Sequence, residues 1–244
     1  MSYSRIYQAV PLKVQTAIRL DEKASHHVGR VLRAKVGDYL ILFNGQGGEY
    51  EAQITRMDKK NVEVDISRFI AREAESPLDI CLMQGMARGE KMDFIVQKAV
   101  ELGVKKIIPL ITERCNVRLE GEREEKRLAH WQSVIISACE QSGRNRIPEM
   151  VMPLTLKAGL ASLKADACFV LSPYASSKLS SLTLPVRASV AVLIGPEGGL
   201  SEQEVVMAEK HGFLLLNVGP RVLRTETAAI AAMTLLQGHY GDMA

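Results

Sequence analysis

From residue 78 to residue 236 the chain alternates short apolar runs with amphipathic stretches, and this alternation restricts its fold more than any other feature. Residues 80–86, 106–111, 167–171, 190–194 and 213–218 are apolar and too short for buried helices, so they read as strands. Between them, residues 91–102 have a helical pattern stopped by Gly103. Residues 122–141 carry Leu128, Trp131, Ile135 and Ala138 along one helical face. Ser201-Glu-Gln-Glu204 is a capping box, opening a helix that ends near Gly212. Thr225 caps a last helix that is rich in alanine up to Leu236. Strands and helices alternating in this way imply an α/β fold, with a mostly parallel sheet covered by helices on both faces.

The N-terminal third has a different texture. Residues 39–43, 49–56 and 62–67 read as strands, with Asn44-Gly-Gln-Gly-Gly48 as a turn and 61–66 alternating polar with apolar. Residues 25–32 suit a short helix with Ser25 as its cap. Residues 1–72 are therefore expected to form a small β-barrel domain. The polar, proline-ended segment 72–77 makes a linker, and residues 77–244 a second domain.

Composition sets outer bounds. A chain of 244 residues buries an adequate core as one large or two modest domains. The net charge of +3 is too mild to argue for nucleic acid, but arginines cluster at 30 and 33, at 114 and 118, and at 144 and 146. Cys81, Cys115, Cys139 and Cys168 are scattered without a CxxC pair, which argues against zinc and against a disulfide framework. No apolar run reaches the roughly 18–20 residues of a membrane span and no signal-peptide core is visible, so a cytoplasmic protein is expected.

Chemistry concentrates in two glycine-proline turns that follow apolar runs: Leu193-Ile-Gly-Pro-Glu-Gly-Gly-Leu200 and Val218-Gly-Pro-Arg-Val-Leu-Arg-Thr-Glu-Thr-Ala228. Glycine lets backbone approach a ligand closely or take a positive φ, and proline stiffens the turn. Two such turns at neighbouring strand ends would enclose one small-molecule crevice. Neither contains GxGxxG or GxxxxGK[ST], so neither is a known phosphate cradle. Glu197 has two readings, as a ligand to a hydroxyl or a cation, or as a cap of its own turn.

The same residues carry a resemblance. Gly195-Pro-Glu-Gly-Gly199 and Gly219-Pro-Arg-Val-Leu-Arg-Thr-Glu-Thr-Ala228 resemble the cofactor loops of the SPOUT methyltransferases. The likeness is closest to the ribosomal RNA small-subunit methyltransferase E family. It extends to His27-Val-Gly-Arg-Val-Leu-Arg33, Arg88-Gly-Glu-Lys-Met-Asp93, Gln97-Lys-Ala-Val-Glu-Leu-Gly103 and Ser142-Gly-Arg-Asn-Arg-Ile-Pro148. It implies a SPOUT-type C-terminal domain, whose parallel sheet is tied in a trefoil knot, and an N-terminal PUA-like RNA-binding barrel. It also implies a homodimer that uses S-adenosylmethionine to methylate N3 of a uridine in 16S ribosomal RNA, with no metal.

The resemblance places the cofactor against Leu171, Ser172 and Pro173, and against Ile194, Gly195, Pro196, Glu197, Gly198 and Gly199. The third wall would be Val218, Gly219, Val222, Leu223, Arg224, Thr225, Thr227 and Ala228. Arg224 is the candidate to stabilise a uridine anion, and Glu226 the weaker candidate for proton acceptor. Candidate RNA contacts are Arg5, His26, Arg30, Arg33, Arg88, Lys91, Arg144 and Arg146, because arginine forks suit phosphate oxygens. Two other readings stay open: a non-catalytic RNA-binding assembly factor on the same fold, and a nucleotide-dependent oxidoreductase on an ordinary doubly wound sheet.

Overall fold

The computed structural model describes residues 3–58, 60–115, 121–175, 179 and 183–243. They divide into two compact units, one formed by the chain up to Glu75 together with Cys139–Ile147, the other by Ser76–Ala138 together with the chain from Pro148. The sequence boundaries leave residues 139–147 with the second domain; the structure groups them with the first.

In the first unit the elements are β1 (Ser4–Tyr7), β2 (Thr16–Arg19), α1 (Glu22–His26), β3 (Tyr39–Phe43), β4 (Glu49–Met57) and β5 (Val62–Ile70). The sheet runs β1-β3-β4-β5-β2, with β1 parallel to β3 and the other pairs antiparallel. Alternate residues Leu40 and Leu42, Ala52 and Ile54, and Val62, Val64 and Ile66 pack into one core, as the two-residue period of a strand requires. Residues His27–Val31 continue α1 as a π-helical turn that seats Val28 in this core. The expected cap is corrected here. Asp21, not Ser25, caps α1 by accepting from the Ala24 N–H at 2.8 Å. Ser25 lies inside the helix, where its hydroxyl donates to Leu20 O and accepts from Val62 N.

The segment Cys139–Ile147 is fixed to this unit by polar side chains. Glu140 accepts from Tyr7 N at 3.0 Å. Asn145 donates to Arg72 O at 2.6 Å and accepts from Arg5 Nη2 at 2.5 Å. Arg144 forks onto Glu75 at 2.9 and 2.6 Å, with its side chain only 3% exposed. Charges this far from water persist only when paired and hydrogen-bonded.

The second unit contains β6 (Asp79–Gly85), α2 (Glu90–Glu101), β7 (Val104–Ile111), α3 (Glu122–Ser142, whose last residues belong to the first unit), β8 (Glu149–Met150) and β9 (Leu154–Thr155). It continues with α4 (Leu156–Ser162), β10 (Ala167–Leu171), β11 (Ser189–Ile194), α5 (Glu202–Lys210), β12 (Leu214–Leu216) and α6 (Thr225–Tyr240). The sheet order is β12-β10-β11-β6-β7-β8, with β9 also on β7, and every described pairing is parallel. Residues Val190 to Ile194 of the central strand β11 are all buried, which explains their unbroken apolar run. Gly103, at φ +81°, ends α2 as expected. Near the other end of α6, Gln237 donates to Leu102 O at 2.8 Å and accepts from Ser76 at 2.7 Å.

Candidate functional site

Because β10, β11 and β12 are parallel, the loops leaving their C-terminal ends emerge on one side of the sheet. There they enclose a cavity of about 970 Å³, at the upper end of the range for small-molecule sites. Its walls match the expected segments. Leu171, Ser172 and Pro173 line it from the β10 loop, and Ile194 with Gly195 to Gly199 from the β11 loop. Val218, Gly219, Val222, Leu223, Arg224, Thr225 and Ala228 line it from the third segment. Thr227 and Glu226 are not among the lining residues. Glu226 instead has one carboxylate oxygen buried and unpaired among the described residues.

The β11 turn is built from both sides. A Cβ at Gly195 would meet Leu200 N at 2.9 Å and Gly199 C at 3.0 Å. Glycine is therefore required here by the turn's own backbone. From beneath, a Cβ at Gly85, at the end of β6, would stand 2.5 Å from Pro196 N. Thr225 departs from expectation. Arg224 occupies the cap position of α6 and forms no side-chain cap bond. The Thr225 hydroxyl donates to Gly195 O at 2.6 Å and accepts from Gln84 Nε2 at 2.9 Å. It ties the helix start to the turn, and α6 presents uncapped N–H groups and a partial positive charge beside the cavity.

Glu197 is a ligand of its neighbours. It accepts from the Arg88 N–H at 3.1 Å and from Lys91 Nζ at 3.2 Å. Burial pushes its carboxyl up, but the Arg88 N–H, its own N–H and Lys91 outweigh that and hold it below the usual carboxylate range. Lys91 and Arg114 both line the cavity, and Arg114 also donates to Gly198 O at 3.1 Å. Arg118 lies outside the described residues.

The RNA candidates divide sharply. His26, Arg30, Arg33 and Arg88 are exposed. Arg146 is half-exposed, 3.8 Å from Glu73. Arg5 and Arg144 are corrected: Arg5 is 11% exposed, ion-paired to Glu49 and stacked over Phe43 at 4.8 Å, and Arg144 is closed around Glu75. Neither offers its fork to a phosphate. None of the four cysteines is in a disulfide, and burial pushes Cys81 and Cys139 up to about 12, which makes them poor nucleophiles. Among the described residues there is no group of three or more His, Cys, Asp or Glu that could hold a metal.

Sequence reasoning gave no role to the side chains of Gln84, Tyr174 and Asn217 or to Gly85; Tyr174 lines the cavity, as do Arg114, Leu216 and Arg221 from segments the sequence had singled out. Two of them carried a signal: Gln84 is the polar residue inside an apolar strand, and Asn217 stands two residues before a glycine, where its side chain can fold onto the backbone.

Residues 74–237 match the family model for the RNA methyltransferase domain, and residues 20–67 that for the RNA methyltransferase PUA domain. With a parallel sheet and a cavity between its strand-end loops, the chain is by class an RNA methyltransferase fold with an N-terminal PUA-type sheet. A methyltransferase from Legionella pneumophila, solved with bound S-adenosylmethionine, is 43% identical with a TM-score of 0.95, covering 99% of this chain and 100% of its own. A ribosomal RNA small subunit methyltransferase E from Neisseria gonorrhoeae, bound to S-adenosylmethionine, is 37% identical with a TM-score of 0.93 and full coverage of both chains. The namesake from Buchnera aphidicola of Schizaphis graminum is 38% identical over 98% of this chain and 97% of its own. The chain belongs to the ribosomal RNA small subunit methyltransferase E family.

Proposed function

We propose that this protein transfers a methyl group from S-adenosylmethionine to N3 of a uridine in 16S ribosomal RNA. The observation that carries the reading is the cavity enclosed by the β10, β11 and β12 loops, with Lys91, Arg114, Arg221 and Arg224 among its lining. Its residues suit that cofactor. Glycine backbone in the β11 turn and the segment 218–223 supplies amide donors and carbonyl acceptors for an adenine and a ribose. Glu197 and Glu202, which line the cavity, would offset the positive charge of a sulfonium bound there.

When bound, S-adenosylmethionine supplies an electrophilic methyl group, which passes from sulfur to uridine N3 as N3 loses its proton. The chain's own part is alignment and charge. The loops hold nucleophile and electrophile in line and keep water out. Arg224 and the N-terminus of α6 lower the cost of a uridine anion. Glu226, the candidate to take the proton, does not line the cavity and would have to turn its carboxylate into it to do so. The target base must leave its stack to reach the cavity. RNA backbone is held by the exposed His26, Arg30, Arg33, Arg88 and Arg146 and by the half-buried Lys91. The same reading carries the homodimer, the knot of the C-terminal domain, and work in the cytoplasm, where ribosomal RNA is made.

The test is mass spectrometry of 16S RNA, free and within the small subunit, after incubation with the protein and S-adenosylmethionine. Appearance of N3-methyluridine supports the reading. Cofactor binding without methylation of either RNA would favour a non-catalytic assembly factor.

A further inference from the structure

Asn217 sits behind the cavity wall, and its side chain is used three times. Nδ2 donates to Pro173 O at 3.1 Å and to Ala175 O at 3.0 Å, while Oδ1 accepts from Gly219 N at 2.6 Å. Pro173 and Gly219 belong to two different walls of the cavity. The strands beneath them, β10 and β12, pair only from Phe169–Leu214 to Leu171–Leu216, and one further backbone bond, Ser172 N to Leu216 O at 3.0 Å, extends the ladder. Beyond that point, among the described residues, the Asn217 side chain connects the two loops.

We propose that Asn217 is a positioning residue for the cofactor, a clamp that fixes the separation of the β10 and β12 loops. This rests on the reading that the cavity takes S-adenosylmethionine. The site demands an amide of this length, with an acceptor toward Gly219 and two donors toward the two carbonyls. Gly219, whose N–H Asn217 accepts, has φ +144°, a conformation that side chains rarely take. An aspartate in place of Asn217 keeps the acceptor but sets a carboxylate oxygen against two carbonyl oxygens. A protonated aspartic acid regains one donor. Those two states give the clamp a signature that simple loss of packing lacks.

The experiment is calorimetric titration of S-adenosylmethionine into wild type, Asn217→Ala and Asn217→Asp between pH 5 and 8, with thermal unfolding of each free protein as the folding control. Asn217→Ala should bind about five- to tenfold more weakly, the lower end of the loss from unmade hydrogen bonds, because Asn217 is only half-buried. In turnover the loss should fall on KM for the cofactor, with kcat held at saturation. Asn217→Asp should bind more weakly than Asn217→Ala at pH 8 and recover toward pH 5. The cavity carboxylates Glu197 and Glu202 are common to all three proteins, so the wild-type curve accounts for them. Affinity within twofold of wild type for either folded variant at pH 8 would overturn the clamp, as would identical pH curves for the two variants. Should Asn217→Ala fail to fold, the isosteric aspartate variant still decides. A wild-type protein that does not bind S-adenosylmethionine would overturn the cofactor reading itself, and the clamp with it.

Discussion

Replacing Gly195 by alanine isolates the self-packing of the β11 turn. The added Cβ would sit 2.9 Å from Leu200 N, 3.0 Å from Gly199 C and 3.1 Å from Gly199 Cα. All three are backbone atoms, and the shortest contact falls about half an ångström inside ordinary van der Waals distance. No rotamer relieves such a clash. The φ of Gly195 is not in the left-handed region, so the cost is steric rather than conformational. The turn cannot shift freely, because Thr225 holds Gly195 O and Gly85 lies against Pro196. Overpacking of this kind costs about 1–3 kcal/mol, or roughly a five- to 150-fold change in an equilibrium constant. Calorimetry should show affinity for S-adenosylmethionine falling within that range. The melting temperature should drop by roughly 2–4 °C for each kcal/mol lost in a chain of this size. An alanine variant with affinity within twofold of wild type and an unchanged melting temperature would refute the argument, because the turn would then open without cost.

Thr225→Val keeps the side-chain shape but removes both hydrogen bonds of the buried hydroxyl, so denaturant unfolding should report a loss of about 1–3 kcal/mol, with Thr225→Ser losing less. Glu197→Gln tests the carboxylate held below its ordinary value of 4.5. A depressed folded pKa contributes stability that is complete above the unfolded value and fades as pH falls through the folded one. The stability difference between wild type and Glu197→Gln should therefore be constant above about pH 4.5 and shrink below it, and for a solvent-screened pair it should stay under about 1 kcal/mol. Arg30→Ala with Arg33→Ala should lower the salt slope of RNA binding by about one for each phosphate contact removed. Arg144→Ala should instead destabilise by roughly 3–5 kcal/mol by stranding Glu75, which unfolding curves will register.

The strands and helices of the second unit were legible because each long element repeats its period often enough to read. Even the capping box at Ser201 was visible and is present, with Glu204 returning to the Ser201 N–H at 2.9 Å. The two-residue strands β8 and β9 and the seven-residue α4 have too few residues to show any period. β1 and β2 have four residues each, and partners far away in the sequence supply most of their stabilisation.

The site was legible as loops but not as a mechanism of assembly. Gly195 does line a cavity, and a Cβ there would also collide with the turn's own backbone, a constraint that only the folded chain reveals. Thr225 looked like a cap because local sequence offers a threonine at a helix start no other obvious task. Its acceptor, Gly195 O, is thirty residues away, and its donor, Gln84, is 141 away. The arginines show the same limit in its sharpest form. Arg144 and Arg146 stand two residues apart in one polar loop and are indistinguishable by composition or spacing. One is enclosed with Glu75 at 3% side-chain exposure, while the other keeps 56%. Both have a glutamate of a distant segment beside them, but Glu75 meets Arg144 at 2.6 Å with its own side chain 12% exposed. Glu73 stands 3.8 Å from Arg146 and is 37% exposed, so enclosure of the pair separates an arginine that holds the fold from one able to meet a phosphate. In this chain Glu49 and Glu75 make that distinction for Arg5 and Arg144. Any assignment of RNA contacts in the N-terminal unit therefore has to begin by locating the buried glutamates.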